Sequence, residues 1–173
     1  MGMIVQKFGG TSVADVDRIR RCAARAVEAR LSGHSVLVVV SAMGDTTDRL
    51  IDLAQRVSGD PTPSDFDLLL AAGEQQSAAL MAMAVNDLGA DAVAIAGGDL
   101  GILTSGRHTA ARILAIDVKR IQGFLDAGQV VIAAGFQGVS ETGRITTFGR
   151  GGSDTTAVAL AAALGVEGGT GVC

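Results

Sequence analysis

The chain has 173 residues, 48% of them hydrophobic and 18% charged, with a net charge of −4; this is enough for one domain with its own core, and the balance excludes a disordered chain. Aromatic residues make up only 3%, with neither Trp nor Tyr, so the core is expected to be Ala, Val, Leu and Ile, and no platform for stacking nucleic-acid bases is expected. The negative charge argues further against a polyanion as the main partner.

Met3 to Phe8 is a short β-prone run ending in the turn Gly9-Gly10-Thr11-Ser12. From Ala14 to Leu31 apolar residues recur at three- and four-residue spacings, which predicts an amphipathic helix closed by Gly33. Ser35 to Ala42 is a β-branched run of the kind found in strands buried on both faces. Asp45 to Val57 predicts a second helix, and Gly59-Asp60-Pro61-Thr62-Pro63 punctuates the chain after it. Ser64 followed by Asp67 resembles a capping box with the shorter acid; it opens a long helical stretch through Leu88, expected to be interrupted near Gly73. Then come a strand at Asp91–Ala96, a polar, Gly-rich loop with a short hairpin at Gly97–Ala111, and a helix at Asp117–Ala127. Gln129–Ala134 is a second buried strand, Gly143–Phe148 a β segment, and Ser153–Leu164 an Ala-rich helix.

This alternation predicts an α/β fold, a sandwich of helices around a mostly parallel sheet. The tail Gly165–Cys173 stops where another strand is expected, so the sequence reads as cut short, with an exposed sheet edge and helix surface that predict a partner. Cys22 and Cys173 are the only cysteines, which gives neither a disulfide framework nor a paired zinc pattern and fits a reduced, cytoplasmic compartment. The N-terminus lacks a signal peptide's long apolar region. No apolar run approaches the ~20 residues needed to span a bilayer, so no membrane partner is expected.

Two glycine-rich turns each lead into a helix. In Lys7-Phe8-Gly9-Gly10-Thr11-Ser12 the lysine sits at a strand's end, where its ammonium can reach a phosphoryl group, and the glycine amides can approach an anion closely. The lysine precedes the glycines, so this is neither a P-loop nor a dinucleotide fingerprint, and an ordinary tight βα turn is an equal reading. In Phe148-Gly149-Arg150-Gly151-Gly152-Ser153-Asp154-Thr155-Thr156, Arg150 can grip a carboxylate bidentately and the following amides form an anion nest. The alternative is that Ser153, Asp154 or Thr155 simply caps the Ala-rich helix.

Ser41-Ala42-Met43-Gly44-Asp45-Thr46-Thr47-Asp48 follows the buried strand, at the end where ligands gather in open α/β sheets. The hydroxyls of Ser41 and Thr47 either bind a polar substrate or cap the next helix. Glu74, at the expected helix break, is a candidate partner for a substrate ammonium, although a lone Glu is ordinarily a surface charge. Arg18, Arg21 and Arg25 read as a solvated helix face. His34 and His108 are isolated, without metal-ligand spacing. Arg107 and Arg112 flank a loop, and contact with phosphate or with a neighbouring subunit both remain open.

Together the segments Lys7–Val13, Ser41–Asp48, Gly73-Glu74, Ala134-Gly135-Phe136-Gln137-Gly138 and Gly149–Ala159 resemble aspartate kinase, a family of the amino-acid-kinase superfamily. They stand in that family's order and at similar spacing, over roughly Met3 to Leu164. The resemblance implies a three-layer, carbamate-kinase-like α/β/α fold, with residues 1–164 as the substrate-binding part and 165–173 as a tail that does not match the family. It implies ATP-dependent phosphorylation of the L-aspartate side chain to 4-phospho-L-aspartate, the first step towards lysine, threonine and methionine. ATP and Mg²⁺ are implied as phosphoryl donor and companion ion, without a dedicated protein metal site, and a homo-oligomer or a missing C-terminal half as partner.

By the same resemblance, Lys7 bridges the ATP phosphates and the transferring group, with Gly9, Gly10 and Thr11 supplying further phosphate contacts. Ser41, Thr47 and Ser153 surround the amino acid with Phe136 and Gln137 beside it, Glu74 meets its ammonium and Arg150 holds its α-carboxylate. Asp154 organises Lys7 and the substrate. An aspartate carboxylate is ionised at neutral pH, so the nucleophile needs no general base; positioning and charge neutralisation are what the reaction requires. The family's continuation after the Ala-rich helix, which supplies much of the nucleotide site and then regulatory ACT domains, is not recognisable here, and Phe148 stands where Leu is usual. The alternatives are a non-catalytic amino-acid-binding or subunit-interaction module, and a kinase of the same fold for another acidic metabolite.

Overall fold

The computed structural model describes residues 2–166, so Glu167–Cys173 of the expected tail lie outside the described residues. In chain order the elements are β1 (Met3–Phe8), α1 (Val16–Leu31), β2 (Ser35–Val40), α2 (Thr46–Val57), α3 (Pro63–Asp87) and β3 (Ala92–Ile95). A 3₁₀ turn at Gly97–Leu100 leads to β4 (Ile102–Thr104), β5 (Ile113–Ile116), α4 (Lys119–Asp126), β6 (Val130–Ala134), β7 (Gln137–Ser140), β8 (Ile145–Thr147) and α5 (Gly152–Ala163).

The main sheet is parallel throughout, in the order β1-β2-β6-β3, with Phe8 opposite Val40 and Val40 opposite Ala134. Alternation within β2 explains the continuous apolar run. Val36, Val38 and Val40 face the α1–α3 layer, where Ile19, Ala23, Met81 and Val85 pack, while Leu37 and Val39 face Ile121, Leu125 and Leu160 of α4 and α5. All five strand residues are 0% exposed, and burying each such side chain is worth about 1.5–3 kcal/mol. The expected α/β/α sandwich is therefore present.

Two expectations about α3 are corrected. The Ser64–Asp67 capping box does not form: the helix begins at Pro63, whose missing N–H suits a first turn, and Thr62 before it makes no side-chain cap. Asp67 is instead buried. Nor is the helix interrupted at Gly73. A Cβ there would come within 3.0 Å of the Ala42 Cβ, so this glycine lets the helix pack closely on the segment after β2. The unbroken α3 has 25 residues and a window of mean hydropathy 1.2, so by length and composition it does match a membrane-spanning helix, contrary to expectation. Half of that window is buried within the protein, and α3 packs on α1, β3, β6 and β8, as a core helix does.

A second sheet, β5-β4-β7-β8, is mixed: β4–β5 and β7–β8 are antiparallel and β4–β7 is parallel. The sequence reading included neither β5 nor β7. β7 reads Gln-Gly-Val-Ser, whose glycine and polar residues carry little β propensity. Its partner β8 ends at Thr147, immediately before the second glycine-rich turn, and so sets where that turn begins.

Candidate active site

The C-terminal ends of β1 and β2 open onto a cavity of about 570 Å³. Lys7, Gly9, Gly10, Ser41, Thr47, Glu74, Phe136, Arg150, Ser153 and Asp154 all line it, though they come from five separate stretches of sequence. Of the residues picked out from sequence, Gln137, expected beside the pocket, does not line it, and Thr11 lies elsewhere. It is exposed, its carbonyl accepts from Arg18 Nη1, and it faces a different hollow beside Arg21 and Arg25. Ile51, Phe66 and Leu70 add apolar lining to the cavity, and Thr109 and Thr147 add hydroxyl-bearing side chains.

Lys7 is carried to the cavity by the last residues of β1, and its Nζ lies 2.7 Å from Asp154 Oδ1 in the first turn of α5. The turn after β1 lies against the segment after β2: Gly44 N donates to Gly10 O at 3.0 Å, and a Cβ on Gly10 would sit 2.8 Å from the Ala42 carbonyl oxygen. Only glycine permits that approach.

α2 and α5 both start at the cavity, with Thr47 in the first turn of one and Ser153 and Asp154 in the first turn of the other. Neither helix has a side-chain cap hydrogen bond. The N-cap of α5 is Gly151, and Asp154 is turned to Lys7, so the capping alternative for Ser153, Asp154 and Thr155 does not hold. Two uncapped helix starts leave backbone N–H groups and positive dipole ends directed at one space, which suits a phosphate or carboxylate.

Glu74 is 4% exposed. The Ala42 amide donates to its Oε1 at 3.2 Å, while Oε2 is buried without a hydrogen-bond partner. Burial pushes its pKa up to about 7, opposed in part by the Ala42 amide. A buried carboxyl with one oxygen unsatisfied is the complement of a cationic group arriving from the cavity. Arg150 is exposed and pairs with no acid among the described residues.

Phe136 joins β6 to β7 with φ at +69°, the left-handed region that a bulky side chain rarely enters. Its N–H donates to Thr156 Oγ1 at 3.0 Å and its carbonyl accepts from Phe148 N at 3.1 Å, which hold it there. Beside it Gln137 is fully buried, its Oε1 accepting from Gln75 Nε2 at 3.0 Å and from Gly97 N at 3.1 Å. Sequence reasoning took Asp67 for a helix cap; it is 0% exposed and bonded to His108, Thr109 and Thr147. His108 is therefore not isolated. The available signal was an acid on an otherwise apolar helix face, about two turns before Glu74.

Residues 2–168 match the model of the amino acid kinase family. The chain belongs to that family. It is 56% identical over 167 residues to the aspartokinase of Geobacillus stearothermophilus, covering 96% of this chain and 41% of that protein. To the aspartokinase of Mycolicibacterium smegmatis it is 55% identical over 168 residues, covering 96% and 40%. The chain thus spans about two-fifths of the length of these curated relatives. Among solved structures, the aspartate kinase from Synechocystis superposes with a TM-score of 0.82 at 47% identity, over 95% of this chain and 27% of that one. Aspartokinase III of E. coli in complex with aspartate and ADP gives 0.82 at 26% identity, over 95% and 47%. The carbamate kinase of Giardia, at 15% identity and a TM-score of 0.72 over 96% and 72%, shares the fold.

Proposed function

We propose that this chain carries the amino-acid side and part of the phosphate side of an aspartate kinase site. The observation that carries the reading is the composition of one cavity: among the described residues, a buried carboxyl with a free oxygen, an arginine that pairs with no acid, a lysine and two uncapped helix starts. An amino acid offers the complementary charges. Its ammonium meets Glu74 and its α-carboxylate meets Arg150, with Ser41, Thr47 and Ser153 supplying hydroxyls and Phe136 a wall. L-Aspartate is the favoured amino acid because the relatives at 55–56% identity are aspartokinases.

In the proposed reaction the side-chain carboxylate oxygen of aspartate forms a bond to the γ-phosphorus of ATP. The bond from that phosphorus to the bridging oxygen breaks, and ADP leaves with the electron pair. Lys7 neutralises charge on the transferring group and Asp154 holds Lys7 in place. The amides of the Gly9-Gly10 turn and of the α5 start contact phosphate oxygens. Phosphate-bound Mg²⁺ takes few protein ligands; Asp154, the acid beside Lys7, would be the carboxylate available to hold it, and the ion would supply further charge neutralisation.

Incubating the chain with ATP, Mg²⁺, L-aspartate and hydroxylamine tests this: aspartyl hydroxamate is expected, and none with glutamate. A chain that forms no hydroxamate and takes up no aspartate in calorimetry refutes the reading. A second reading, amino-acid binding without transfer, is favoured by one observation. The residues expected to grip the amino acid line the cavity together, whereas Thr11, expected on the phosphates, does not. Aspartate binding without hydroxamate would select it.

A further inference from the structure

Asp67 and Glu74 are the only acidic side chains buried among the described residues, and both project from α3. A fully buried carboxylate costs several kcal/mol unless its oxygens are satisfied. Those of Asp67 are. Oδ1 accepts from Thr147 Oγ1 at 2.6 Å and from Thr109 N at 3.0 Å; Oδ2 accepts from Thr109 N at 3.0 Å, Thr147 N at 3.2 Å and His108 Nδ1 at 2.7 Å. One side chain thus joins three parts of the chain: α3, the loop between β4 and β5, and the end of β8.

What it holds is part of the cavity's lining. Thr109 and Thr147 both line the cavity, and Ala111 N donates to Thr147 O at 2.9 Å, so loop and strand end are also tied to each other. The Thr109 carbonyl lies 3.3 Å from where a Cβ on Gly149 would be, against the turn that presents Arg150. Thr109 has φ at +63°, a conformation a β-branched residue adopts only when its surroundings impose it. The hydrogen bonds from its N–H to the Asp67 carboxylate impose it.

We propose that Asp67 is a positioning residue: it ties the loop between β4 and β5 and the base of the Arg150 turn to the helix that bears Glu74, and so sets the spacing of the two charges that grip the amino acid. This rests on the amino-acid reading of the cavity. A residue serving the fold alone would affect stability without a selective effect on the amino acid and without rescue at Thr109.

The test combines calorimetric titration of the chain with L-aspartate and amide hydrogen exchange at Thr109 and Thr147. In Asp67→Asn, where an NH₂ group faces donors, both amides are expected to lose protection and aspartate affinity to fall about tenfold or more. Adding Thr109→Gly, which takes a positive φ without strain, is expected to recover part of that affinity. A folded Asp67→Asn chain with unchanged affinity overturns the proposal, as does lost affinity with both amides still protected. If Asp67→Asn does not fold, His108→Gln decides: faster exchange at Thr109 with affinity reduced severalfold supports the tether, and unchanged exchange and affinity overturn it. If the unaltered chain does not bind aspartate, the amino-acid reading fails instead, and the exchange data alone judge the tether.

Discussion

Lys7 Nζ lies 2.7 Å from Asp154 Oδ1, joining the end of β1 to the first turn of α5 in the lining of the cavity. The Asp154 side chain is 63% exposed, so the pair adds little to stability, under about 1 kcal/mol. Its value is positional. Lys7→Met is expected to lower hydroxamate formation by about a hundredfold or more with little change in thermal unfolding. Asp154→Asn should give a smaller loss. A large drop in melting temperature for either would mean that the pair serves the fold.

The carboxyl of Glu74, with its pKa raised to about 7, makes stability depend on pH. Its folded value lies above its ordinary value of 4.5, so the native state binds the proton more tightly. That stabilisation is fully present below about pH 4.5 and is lost as pH rises through 7, on the order of 3 kcal/mol in all. Glu74→Gln is expected to remove this slope from unfolding curves measured between pH 4.5 and 8.

An arriving ammonium favours the ionised form of the same carboxyl. Aspartate binding at pH 6 is therefore expected to release a proton, and binding at pH 8.5 to release almost none. Calorimetry in two buffers of different ionisation enthalpy reads the difference directly. Equal heats in both buffers at pH 6 would count against Glu74 as the ammonium partner.

Arg150 is exposed, so its replacement leaves the core intact. Arg150→Ala is expected to weaken aspartate binding about ten- to a hundredfold, with unfolding unchanged. Arg150→Lys should recover only part of this, because an ammonium lacks the planar fork that matches a carboxylate.

Thr11 lies outside the cavity, and Thr11→Val is expected to leave aspartate binding and hydroxamate yield within about twofold. Gly10→Ala is the contrast in the same turn: its Cβ would press on the Ala42 carbonyl at 2.8 Å. A loss of about 1–3 kcal/mol in denaturant unfolding is expected.

The parallel sheet was legible because β2 and β6 carry apolar residues on both faces, a pattern few other elements produce. The glycine turns were legible because a strand, two glycines and a helix start follow one another in sequence. Asp67 was legible as an acid on α3 but not in its role, since its partners stand 41 and 80 residues away and only the tertiary fold brings them together. The break expected at Gly73 reflects the same limit: low helix propensity is a local signal, and close packing against Ala42 overrode it. Thr11 shows the converse, for adjacency to Gly10 in sequence did not give it a place at the cavity.

The unbroken course of α3 has a consequence for redesign. A continuous helix of 25 residues behaves as a rod, so an axial slip or rotation carries Asp67 and Glu74 together. On the proposed reading, the acid that meets the ammonium and the tether of the β4–β5 loop are geared to one shaft. Refitting the cavity to a longer or shorter amino acid by altering α3 would shift both, and with them the turn at residues 148–151, whose base at Thr147 is bonded to Asp67.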